Sequence, residues 1–154
     1  MSLDLWLHFF HVLAASVWVG GGATLSLIGF RRRSGADRAA LNEFARLLPF
    51  VGLRVLMPAV IVVLITGVWM VLAGSEFRLT QPWVLLALGL FAIAFLIGAV
   101  YLSRIGIALD RASSSGATAT ADLPGLLDRW LVGYGAVLLV LLVAVWDMVF
   151  KPGL

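Results

Sequence analysis

Four apolar stretches organise the chain: residues 5–30, 55–73, 83–102 and about 131–149. A hydrocarbon core of ~30 Å needs ~20 helical residues, so each stretch can cross it, the second only just. The first exceeds the requirement by ~9 Å at a rise of 1.5 Å per residue and is expected to tilt or protrude. Between the first two stretches the pattern changes to a helical stripe. Leu41, Phe44, Ala45 and Leu48 share one side, with Asn42, Glu43 and Arg46 on the other. Ser34-Gly35-Ala36-Asp37 ahead of it fits a capping box. This predicts an amphipathic helix over residues 35–48, lying on the inner membrane surface and leading through Pro49 into the second span. The segment 112–122 is small, polar and low in complexity, closed by Pro124-Gly125, and reads as a flexible linker. The connection 74–82, with Glu76 and Arg78, reads as a tight turn. Every connection is short, so the expected fold is all-α: one up-down antiparallel four-helix bundle spanning a membrane, with no separate soluble domain.

Composition agrees. The chain is 62% hydrophobic and 12% charged, against roughly half and a quarter for a soluble domain. It contains no cysteine, which excludes disulfides, iron–sulfur clusters and thiolate zinc sites. The pI near 10.2 would suit nucleic acid, but the arginines sit beside the apolar runs, where topology explains them and no nucleic-acid partner is expected. Arg31, Arg32, Arg33, Arg38, Arg46 and Arg54 fall between spans one and two, and Arg104, Arg111 and Arg129 between spans three and four. Only Arg78 and Lys151 lie elsewhere, so the positive-inside rule puts both basic segments in the cytoplasm and both termini outside, in a multi-pass cell membrane protein. Trp6, Trp69, Trp83 and Trp146 all fall at the opposite span ends, where amphipathic rings favour the interface. Three arginines follow the first apolar run and Asp4 precedes it, the reverse of a cleavable signal peptide.

Candidate chemistry is concentrated in the first span. His11 shares a helix face with Ala14, Ala15, Trp18 and Gly22, about two turns below the outer end. A polar side chain at that depth faces the bundle, because lipid offers it no partner. The small residues beside it leave space for a flat ligand, and neutral imidazole is the commonest haem-iron ligand. A plain alternative stands level with this: His11 hydrogen-bonds across the bundle and the small residues serve helix packing, as Gly20, Thr24, Ala94, Gly98, Gly133 and Ala136 can. His8, one turn higher, can simply be solvated at the interface.

His11, Trp18 seven residues later and Gly21, near the start of a four-helix membrane chain, resemble the first span of the copper resistance D domain and HemJ-type protoporphyrinogen oxidase group, which includes uncharacterised membrane proteins. The closing Val149-Phe150-Lys151-Pro152 is similar to the Lys-Pro ending of such chains. The resemblance implies a b-type haem on His11, with Trp18 and Gly22 beside it, in a redox or electron-transfer role. The oxidase branch has a lysine inside its third span, whereas the one lysine here is Lys151, which argues against that activity. A second axial ligand would come from His8, Met70 or Met148.

Two other functions compete. His8, His11, Met70 and Met148 offer thioether and imidazole groups suited to Cu(I), giving a copper-binding or copper-transporting protein, although methionine is also an ordinary apolar filler. An accessory role needs no chemistry at all: the helices would pack in lipid against a homo-oligomer or a larger membrane complex. Asp147 is the acid closest to a span interior, placed to pair with Lys151 at i,i+4. Arg54 and Arg104 are placed to snorkel to phosphates. The orientation has a direct check. A cysteine introduced at Ser114 should be protected from an impermeant thiol reagent in intact cells and labelled after permeabilisation; labelling in intact cells would reverse the topology.

Overall fold

The computed structural model describes residues 3–33, 38–73, 78–114 and 122–153. Four long helices carry these residues: α1 (Leu3–Arg32), α2 (Arg38–Ala73), α3 (Pro82–Ser114) and α4 (Leu123–Phe150), each long and apolar enough to cross a membrane. There is no strand among the described residues. Local sequence sets the ends. Gln81 is extended ahead of α3, its side-chain carbonyl accepts from the Arg78 amide at 3.1 Å, and Pro82 opens the helix, where its missing N–H is no loss. Asp122 caps α4 by accepting from the Gly125 amide at 3.1 Å. At the other end Lys151 turns left-handed (φ 42°), its amide returns to the Asp147 carbonyl at 2.8 Å, and Pro152 stops the helix.

The expected spans are all present, but three helices run beyond them. The stripe of Leu41, Phe44, Ala45 and Leu48 is buried as expected. Its helix does not lie on a membrane surface as a separate element, however. It is the first part of α2, continuous through Pro49 and a wider π-helical turn at Gly52–Leu56. The reason is a partner the sequence reading had not assigned. α3 likewise passes through a π turn at Ile97–Leu102 and continues as Ser103–Ser114, so residues 112–114 are helix rather than linker. Ile105 and Leu109 on that extension are buried and face the α2 stripe, and Leu123, Leu127 and Trp130 of α4 close the same cluster. α4 therefore begins at Leu123, not at residue 131. The proposed capping box at residues 34–37, most of the linker and Glu76 lie outside the described residues.

α1 packs between α2 and α4, and α3 packs on α4. α2 and α3 meet closely only at the arginine-rich end; towards the tryptophan-rich end Met57–Ala73 and Pro82–Leu96 are not closely paired. Arg33 Nε lies 2.7 Å from Asp128 Oδ1 and ties the end of α1 to α4. The outward residues, among them Val12, Leu27, Phe30, Leu72, Leu85, Val132, Leu139 and Val149, are exposed and apolar, as a lipid-facing surface requires.

Close approach between helices depends on glycine. The ring of Tyr134 lies directly on Gly22, so that any Cβ there would overlap it. Tyr101 does the same at Gly133, where a Cβ would come within 2.6 Å of its ring. In lipid, helix association relies on such dispersion contacts, because the apolar solvent supplies no hydrophobic drive. Gly22→Ala is therefore expected to destabilise the bundle by about 1–3 kcal/mol, while Gly20→Ala, with nothing within 4 Å, should be neutral or slightly stabilising. Thermal melts of the two variants in detergent decide it, and equal effects would contradict the packing described.

Candidate functional site

The site begins at His11, buried at 9% exposure on the inward face of α1. Its Nδ1 lies 3.0 Å from Thr66 Oγ1 on α2. Thr66 is the one hydroxyl residue of Met57–Ala73, and in a helix such a hydroxyl turns back to the carbonyl one turn earlier. Here it donates to the Val62 carbonyl at 2.6 Å. A hydroxyl has a single proton, so once that proton is committed to Val62, Thr66 can only accept from His11. Nδ1 therefore carries the imidazole proton and Nε2 carries the lone pair, a tautomer assigned from the hydrogen-bond network. Gly67 makes the approach possible: a Cβ there would sit 3.2 Å from the His11 Cε1.

The other expected residues fall as follows. Trp18 is buried two turns below His11 and meets Phe91 of α3 edge-on, with ring centroids 5.8 Å apart. Gly22 is buried, but the recess its small size would leave is filled by Tyr134, which also stacks on Trp130 at 5.1 Å. Ala14 is buried and Ala15 half-buried. His8 is exposed, and its Nδ1 turns back to the Asp4 carbonyl on its own helix at 2.9 Å. Met70 and Met148 are half-buried. No group of three or more His, Asp or Glu side chains that could hold a metal ion occurs among the described residues.

Asp147 departs from its expected pairing. Lys151 meets it through the backbone amide, while the Lys151 ammonium lies 5.5 Å over the Trp83 ring. The Asp147 carboxyl is fully buried, and neither oxygen has a hydrogen-bond partner among the described residues. Thr66, Gly67 and Tyr134 are the participants that the sequence reading missed. Thr66 carried a usable signal, as a lone polar residue in an otherwise apolar span. Tyr134 carried none beyond its aromatic character.

The fold and this interior define a class: a four-helix integral membrane protein whose first two helices are joined by a buried histidine–threonine hydrogen bond. Residues 5–152 match a family described as predicted integral membrane protein (DUF2269), and the chain belongs to that family. The match supports the uncharacterised part of the resemblance drawn from His11, Trp18 and Gly21, and not membership of its copper resistance D or HemJ branches. No curated protein matches the chain, and no solved structure does.

The hydrogen bond has a measurable signature. Thr66→Val keeps the shape and removes the acceptor, leaving the buried His11 N–H unsatisfied, and should destabilise the fold by about 1–3 kcal/mol. His11→Leu combined with Thr66→Val removes both partners and should recover much of that loss. Additive losses in the double variant, measured by denaturation in detergent, would show that the two side chains are not coupled.

Proposed function

We propose that this protein binds a b-type haem in the membrane, with His11 Nε2 as the axial ligand to iron, and serves in electron transfer. The observation that carries the reading is the fixed imidazole. Ligating histidines characteristically donate their second ring nitrogen to an oxygen, which sets the tautomer and raises ligand basicity. His11 has that arrangement before any ligand is considered, with Thr66 as the acceptor and Val62 holding Thr66 in the accepting role. The donor set thus fits the group. Its close surroundings fit in part: the recess at Gly22 belongs to Tyr134, so room for a flat ligand lies instead towards Met57–Ala73 and Pro82–Leu96, which are not closely paired. A bound haem supplies a one-electron iron couple. The chain's own contribution is to orient the imidazole, to exclude water through Trp18 and Ala14, and to surround the site with apolar side chains.

A second reading draws on Tyr134. Its ring on Gly22 fills the core with protein, as expected of an accessory subunit in which His11 and Thr66 merely join two helices. The copper reading has less support, since His8 faces outward and turns to its own backbone.

The absorption spectrum of protein purified in detergent, after expression with added haem, separates the three. Haem binding gives a Soret band that His11→Ala abolishes and His8→Ala at most shifts. Thr66→Val should retain the band but weaken haem affinity by about 10–100-fold. A folded His11→Ala protein with an unchanged haem spectrum would refute the ligand assignment. A haem-free wild type favours the accessory reading, and stoichiometric copper without haem favours the copper one.

A further inference from the structure

We propose that the arginine-rich end of α1 is a binding site for the head group of an anionic phospholipid. Ile28, Arg31 and Arg32 line a recess of about 340 Å³ at the last turn of the helix. Its position in the fold gives two chemistries side by side. Leu27 (64% exposed) and Phe30 (62% exposed) adjoin it and are apolar surface of the kind lipid covers, while the two arginines that follow are exposed. A guanidinium presents a planar fork of donors that matches phosphate oxygens, and its weak hydration suits it to the boundary between hydrocarbon and water. The helix C-terminus adds its negative pole, which favours cations at this place and keeps the arginines there.

The occupant follows from charge and shape. Ile28 gives the recess an apolar wall, which an acyl chain can cover and a free inorganic phosphate cannot. The ligand is therefore a lipid phosphate. A zwitterionic head group would bring a cation to two guanidinium groups and would need an acid to receive it. Asp128, the acid that α4 brings to this end, is engaged by Arg33 at 2.7 Å. A lipid with net negative charge, such as phosphatidylglycerol, meets the recess without that conflict. The inference concerns the opposite end of α1 from His11 and stands independently of any haem.

Native mass spectrometry of the protein released from nanodiscs of equal phosphatidylglycerol and phosphatidylcholine tests it. The wild type should retain phosphatidylglycerol in preference to phosphatidylcholine. Arg31→Gln with Arg32→Gln should lower that retention by about tenfold, the size of one lost charge-assisted contact. Arg31→Lys with Arg32→Lys preserves the positive charge that sets topology and should fall between the two, so misinsertion of the neutral pair leaves the test intact. Arg46→Lys with Arg104→Lys changes guanidinium groups outside the recess and should behave as wild type. The site is refuted if the Arg31 and Arg32 variants retain lipid as the wild type does, or if the Arg46 and Arg104 control loses as much. Displacement of the lipid by excess inorganic phosphate, with the same dependence on Arg31 and Arg32, would overturn the lipid assignment in favour of a free-phosphate site.

Discussion

In hydrocarbon, a polar group must find its partner within the protein, and the arrangement of this bundle follows from that requirement. The backbone meets it by helix formation. Hydroxyls meet it by turning back on their own helix: Ser16 to the Val12 carbonyl and Thr24 to the Gly20 carbonyl, each at 2.8 Å, and Ser103 to the Ala99 carbonyl. Thr66 does the same and goes one step further, since its oxygen also receives His11 from another helix. An imidazole cannot reach its own backbone from the inward face of α1 and satisfy a buried N–H there. Its solution ties α1 to α2, and Gly67 provides the clearance.

That same requirement leaves packing, rather than polarity, to hold the remaining helices together. Rings seated on glycine recur from one end to the other, with Phe44 and Leu131 at Gly29, Tyr134 at Gly22 and Tyr101 at Gly133. Phe44 meets Trp130 edge-on, Trp130 stacks on Tyr134, and Trp18 meets Phe91, so the aromatic contacts extend from the arginine-rich cluster into the membrane-spanning core. The joined extensions of α2 and α3 make the arginine-rich end the better-packed one, because Leu41, Phe44, Ile105 and Leu109 cover each other before α4 joins them. Towards the tryptophan-rich end α2 and α3 separate, and His11 lies in that more open half.

Much of this was readable from residues alone, and the failures have physical causes. The four spans follow from run length, which the bilayer thickness fixes. The α2 stripe was legible because its apolar positions repeat at helical spacing against Asn42, Glu43 and Arg46. Its placement was misjudged, since a stripe identifies a buried face without naming what covers it. The covering face on α3, Ile105 and Leu109, is interrupted by Arg104, Asp110 and Arg111 and was taken for a connection. His11 was found from depth and polarity. Its Thr66 partner is 55 positions away, and nothing in a single sequence reports the rotation of two helices about their axes. The recess expected at Gly22 was a correct reading of small volume on one helix and a wrong inference of empty space, because a large side chain from α4 fills it.

His11 and Asp147 show what separates a candidate ligand from a buried polar residue. Asp147 is the more deeply buried, at 0% exposure, and both of its side-chain oxygens lack hydrogen-bond partners among the described residues. It has acceptor capacity and nothing to orient it. His11 has one nitrogen committed and therefore one nitrogen defined, with its proton located by a chain of two hydrogen bonds that ends on the Val62 backbone. A metal ligand needs an available lone pair and a partner that holds the rest of the group still. Burial alone provides neither. On that criterion the first helix, rather than the lone acid at the end of the fourth, is where coordination chemistry has structural support.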